Sequence, residues 1–110
     1  MAQNDFFPIV YKILADLYNR LKEDEKVDMK IFDAEYYDIK QSFLDYIINY
    51  LIDEKYIANV KKNKYDTGAK FIGLKNVQIT PKGIEYLQDN SIMAKTKLFL
   101  KDIKASIPFI

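Results

Sequence analysis

Neither histidine nor cysteine occurs in this 110-residue chain. Without cysteine there are no disulfides, thiolate metal sites or cysteine nucleophiles. Without histidine the usual general base and the commonest metal ligand are gone, and with them every Ser-His or Cys-His pair. Glycine is scarce, with three residues in all. Gly68 and Gly73 do not make a phosphate-cradling loop, and no strand–glycine–helix fingerprint is present. The adjacent carboxylates Asp24-Glu25 and Asp53-Glu54 point to different sides of a helix and do not readily share a metal or substrate. An enzyme is therefore not expected, and neither is a metal or a cofactor. No apolar run approaches the roughly 20 residues that cross a bilayer. The first residues lack the basic, apolar and small-residue order of a secretory signal. The expectation is a cytoplasmic protein without a membrane partner.

What the chain does have is apolar bulk and charge. Hydrophobic residues make up 49% and aromatics 15%. That suffices for one core at this length, so residues 1–110 are read as a single domain. The net charge of +1 conceals an asymmetry: residues 1–60 hold 7 Lys/Arg against 12 Asp/Glu, and residues 61–110 hold 10 against 4. Such a split points to an anion-facing surface in the second half, although a mixed-sign surface also serves plain solubility. Arg20 is the only arginine. Lysine suits phosphate as a point charge, whereas arginine's fork is the commonest reader of guanine edges.

The spacing of Phe6, Val10, Ile13, Leu14, Leu17 and Leu21 predicts a helix over about 5–23, with Lys12, Asp16, Asn19 and Arg20 on its other face. Asn4 or Asp5 caps it, and Pro8 is tolerable in its first turn. Residues 22–26 read as a solvated turn, and Lys30-Ile31-Phe32 as a short extended piece. Asp33 begins a brief second helix. Asp38 followed by Gln41 has capping-box spacing and begins a third, so the pair covers about 33–55. The third helix carries an apolar stripe of Phe43, Leu44, Ile47, Ile48, Leu51 and Ile52, opposite Ser42, Asp45, Tyr46, Asn49 and Asp53. Over about 57–79 the period changes to that of strands: Ile57 to Val60, a turn at Asp66-Thr67-Gly68, a return at Phe71-Ile72, and Val77-Gln78-Ile79. Thr80-Pro81 opens a helix over about 81–90 whose inner face is Ile84 and Leu87. Ser91 caps a last helix over about 92–107, ended by Pro108.

A short helix turning into an amphipathic one is a helix-turn-helix, and a β-hairpin directly after it is the wing of a winged-helix domain. Three stretches carry that resemblance: Asp33 to Ile39 entering Phe43, Leu51 to Ile57 leaving into the strand, and Val77 to Gly83 followed by Ile84 and Leu87. Lys55-Tyr56 stands where many winged helices have Gly-Tyr. With the closing lysine-rich segment included, the chain resembles the YjcQ family of small winged-helix proteins from Gram-positive bacteria and their phages. The resemblance implies an α+β winged helix-turn-helix, a three-helix core plus a hairpin wing, with two further C-terminal helices. It carries no catalytic residues.

Helix-turn-helix docking presents the start of the third helix to the major groove. The candidate residues there are Lys40, Gln41, Ser42, Tyr46 and Asn49, and Gln41 and Asn49 suit adenine edges. Asp45 and Asp53 oppose phosphate. In the wing, Lys61, Lys62, Lys64 and Lys70 flank Tyr65 and would bind phosphate without reading sequence. Lysines also blunt an exposed hairpin edge against aggregation. Double-stranded DNA is thus the first partner to consider and a protein partner the second, with transcription regulation or an adaptor role as the matching functions. The stripe from Ile92 to Ile107 suits packing on the chain's own core, which favours a monomer. A homodimer through Phe99, Ile103 and Ile107 is the alternative.

Overall fold

Asp5 sets the start of the first helix. In the computed structural model, which describes residues 5–64 and 70–91, its backbone is extended and its carboxylate accepts from the Phe6 amide at 2.8 Å. Helix α1 then runs Phe6–Lys22. Ile9, Val10, Ile13, Leu14 and Leu17 are buried as expected. Lys12 and Asn19, expected on the outer face, are buried too. The Lys12 ammonium lies 5.6 Å from the ring centroids of both Tyr36 and Tyr37, so its charge rests on aromatic faces. Leu21 departs the other way. It is exposed and, with Val27 and Met29, lines an open groove of about 550 Å³.

The lone arginine ties α1 to the turn after it. Its Nε donates to Asp16 at 3.0 Å, while its terminal nitrogens reach Glu25 and Asp28 at 3.4 Å and the Lys26 carbonyl at 3.3 Å. Burial works against the guanidinium charge, but Asp16, Asp28 and Glu25 outweigh it and raise its pKa. Arg20 is a structural clamp.

Residues Met29–Phe32 form a 3-10 turn capped by Asp28, not the extended piece expected. Ile31 is buried, and its carbonyl accepts from the Tyr37 hydroxyl at 2.7 Å, so a local turn satisfies the backbone that a strand would have paired. Helix α2 spans Ala34–Tyr37 and is capped by the Asp33 side chain. Helix α3 spans Gln41–Asp53. The capping box assigned to Asp38 and Gln41 is absent. Lys40 is the N-cap, without a side-chain bond, because Asp38 is already in use at the end of α2.

That use shows how a glycine-poor chain ends its helices. At the close of α1, α2 and α3 the backbone turns left-handed at Asp24, Asp38 and Lys55, with φ of 55°, 57° and 63°. In each case the next amide reaches five residues back: Glu25 to Arg20, Ile39 to Ala34 and Tyr56 to Leu51. This is the Schellman motif, which usually places glycine at the left-handed position. Here two aspartates and a lysine occupy it.

The hairpin region is two short ladders. Strand β1, Ile57–Ala58, pairs antiparallel with β4, Gln78–Ile79; strand β2, Lys61–Lys62, pairs with β3, Phe71–Ile72. The strand expected over 57–60 is broken at Asn59, where φ is 72°. Asn59 Nδ2 donates to the Asn76 carbonyl across the gap, opposite a 3-10 turn at Leu74–Asn76. Gly73, at φ 96°, is required there, since a side chain would also strike the Asn59 carbonyl.

Thr80 then opens helix α4, Pro81–Asp89. Its hydroxyl accepts from the Gly83 amide at 3.1 Å and donates to the Lys55 carbonyl at 2.6 Å, joining the end of α3 to the start of α4. α1 sits at the centre, in contact with α3, α4 and β4, which explains why its burial extends beyond one stripe. The described residues form an α+β architecture, four α-helices with two short antiparallel ladders, compatible with the winged-helix expectation. Among the described residues no helix is long and apolar enough to cross a membrane. The last predicted helix, with Phe99, Ile103 and Ile107, lies outside them.

Candidate nucleic-acid interface

Three rows run along α3 once its inward stripe of Leu44, Ile47, Ile48 and Leu51 is buried. At 100° per residue, Ser42, Tyr46, Asn49 and Asp53 point outward. Phe43 and Tyr50 fall on one flank, Gln41 and Asp45 on the other.

The first flank is aromatic. Phe6, at the start of α1, meets Tyr50 at 5.0 Å, Tyr46 at 5.8 Å and Phe43 at 6.5 Å between ring centroids. Phe43 is therefore half-buried against Phe6 and less enclosed than the stripe suggested. The row continues through Tyr56, 6.0 Å from Tyr50, to Tyr86 of α4, 5.1 Å from Tyr56. Burial raises the pKa of both Tyr56 and Tyr86, and neighbouring tyrosines add to the effect. Two large side chains on this flank remain open to solvent, Tyr46 at 65% and Phe7 at 50% exposure.

The second flank belongs to the hairpin. Lys70 Nζ lies 3.7 Å from Asp45 Oδ2, and Lys62 Nζ lies 2.7 Å from Asp53 Oδ1. Asp45, expected on the outer face, is largely buried beneath these contacts and accepts from Gln41 Nε2 at 2.9 Å. The two carboxylates that oppose phosphate are thus neutralised locally by hairpin lysines.

Of the candidates on α3, Lys40, Gln41, Ser42 and Tyr46 are exposed and Asn49 is half-buried. Gln41 is engaged with Asp45. In the hairpin Lys61, Lys62, Lys64 and Lys70 are all exposed, and Tyr65 lies outside the described residues. The ion pairs bring Lys62 and Lys70 to the same side of the molecule as the outer face of α3. Sequence reasoning missed the bonding of Asp45 and the exposed place of Phe7 beside Phe6. A Gln–Asp pair four residues apart on a helix was a legible signal for the first. The consecutive phenylalanines were a signal for the second, because neighbours on a helix point about 100° apart and Phe6 already takes the place on the stripe.

These features define a small α+β domain whose third helix is flanked by a lysine-bearing hairpin. The profile of one family, described as YjcQ protein, matches residues 11–106. The chain belongs to the YjcQ family. Comparison with curated proteins and with solved structures gives no match.

Proposed function

We propose that this protein is a cytoplasmic winged-helix module of bacterial or phage origin that binds duplex DNA weakly, chiefly through phosphate, in a regulatory role. The observation that carries the reading is the pair of ion contacts from Lys62 and Lys70 to α3, because they make the hairpin and the helix face one continuous surface. At that junction Lys62 and Lys70 stand against Asp53 and Asp45, and Lys40, Lys61 and Lys64 are exposed as further cations of the helix start and the hairpin. Lysines without arginine favour contact that is salt-dependent and nearly blind to sequence. With Gln41 bonded to Asp45, Ser42 and Asn49 remain as base readers.

The test is duplex binding by fluorescence anisotropy over a range of salt. Each lysine in contact with phosphate contributes roughly 0.9 to the slope of log affinity against log salt. Replacing Lys61, Lys62 and Lys64 with alanine flattens the slope accordingly. Unchanged binding removes the hairpin from the site, and no binding at low salt removes DNA as the partner.

One observation favours a second reading, a protein-binding adaptor. Tyr46 and Phe7 form the exposed part of a continuous aromatic row, and aromatic residues are enriched where proteins meet.

A further inference from the structure

Lys62 and Lys70 lie on the two arms of the hairpin, and each is held by a carboxylate of α3. Asp45 and Asp53 are eight residues apart in the chain, so the hairpin is pinned at points about two helical turns apart. We propose that Asp45 and Asp53 set the affinity of this surface by competing, within the molecule, with nucleic-acid phosphate for Lys70 and Lys62; the proposal rests on the DNA reading above. A phosphate approaching either lysine meets a carboxylate that already holds its charge in part. The two pairs differ in kind. Both partners in the Lys62–Asp53 pair are well exposed, at 45% and 61% of the side chain, so salt screens it and its competition is modest. The Asp45 side chain is only 13% exposed and is fixed by the Gln41 amide. It holds its charge toward Lys70 and at the same time engages Gln41, one of the groups suited to reading adenine. The acidic residues that look misplaced on a DNA-facing helix thus restrain binding to any duplex.

Anisotropy titrations of a labelled duplex at low salt test this with wild type, Asp53→Asn, Asp45→Asn, Lys62→Ala and the double variant Asp53→Asn/Lys62→Ala. The expected result is that Asp53→Asn tightens binding about two- to fivefold, the range of an exposed ion pair. Its salt slope steepens by up to roughly 0.9 as Lys62 turns to phosphate. In the Lys62→Ala background the gain disappears, because the competition needs both partners. A gain that persists there reports only the loss of a negative charge from the overall field and overturns the proposal. No gain in Asp53→Asn also overturns it. Asp45→Asn is expected to tighten binding in the same way, with thermal melting checking that the helix is intact; Asp53→Asn, at an exposed site, does not depend on that check. If neither wild type nor any variant binds duplex at the lowest salt, the DNA reading itself has failed and the proposal falls with it. Wild-type binding without a gain in Asp53→Asn sinks the proposal alone.

Discussion

The inward and outward faces of α3 are built from alternating stretches of one 13-residue helix, yet they follow different physics. Inward, Leu44, Ile47, Ile48 and Leu51 are sealed against α1 and the rest of the core. Their contribution is apolar area removed from water and close packing, with no charge for salt to screen or pH to titrate. Outward, Asp53 and Lys62 meet at 2.7 Å in solvent, and Tyr46 stands open beside Phe6. Contacts of that sort are individually weak, respond to salt, and are free to exchange one partner for another. A helix so divided can hold the fold with one face while the other changes partners.

The sharpest way to break that contrast is Leu51→Ala. The side chain is wholly buried, so truncation is expected to cost about 2–5 kcal/mol whatever the salt concentration. Urea unfolding at low and high salt checks it. A cost no larger than that of a surface change would show that the inner face does not carry the fold.

The boundary between the two faces is the aromatic row, and pH probes it. Burial raises the pKa of Tyr86, Tyr56 and Tyr11 above the ordinary 10.0. The folded protein therefore keeps these phenols protonated at pH values where the unfolded chain releases them. Stability from this source is complete below pH ~10 and is lost as pH rises through the folded values. Alkaline titration followed by tyrosinate absorbance is expected to show a delayed group of phenols that ionises as the protein unfolds. Tyr86→Phe shrinks the delayed group and lessens the alkaline loss of stability. A delayed group of unchanged size in Tyr86→Phe would place Tyr86 in solvent.

The smallest effect sits where both faces end. Lys55 holds φ at 63° in the closing turn of α3, a conformation strained for any residue with a Cβ. Lys55→Gly is expected to raise stability by up to about 1 kcal/mol, after the greater freedom of glycine in the unfolded chain offsets part of the relief. A rise in the thermal midpoint checks it. A fall would mean that the lysine side chain supports the turn.

Much of the fold was legible because it rests on local rules. The stripe of α1, the Asp33 cap, the stripe of α3 and the Thr80-Pro81 start each follow from residues a few positions apart. The errors share one cause. Asp38 fits a capping box with Gln41 and equally fits the left-handed end of α2, and only the packing of α2 against its neighbours selects between them. Ile57 to Val60 alternates as a strand should, but the pairing partner shifts at Asn59. Lys12 and Asn19 look like surface residues until α1 turns out to be enclosed on several sides.

For the candidate site the division is similar. Residue types alone determined that histidine and cysteine chemistry are absent, that the second half is lysine-rich, and that one arginine stands alone. Residue spacing placed Ser42, Tyr46, Asn49 and Asp53 on a common helix face. What Arg20 does, and where Lys62 and Lys70 go, was decided by tertiary structure. Arg20 engages carboxylates up to eight residues away through a folded turn, and Lys70 meets an aspartate 25 positions earlier in the chain. Helical periodicity propagates through covalent geometry and hydrogen bonds four residues long, so the sequence carries it directly. An ion pair between a hairpin and a helix depends on how two separate elements come to rest against each other, and that is settled only when the core beneath them has packed.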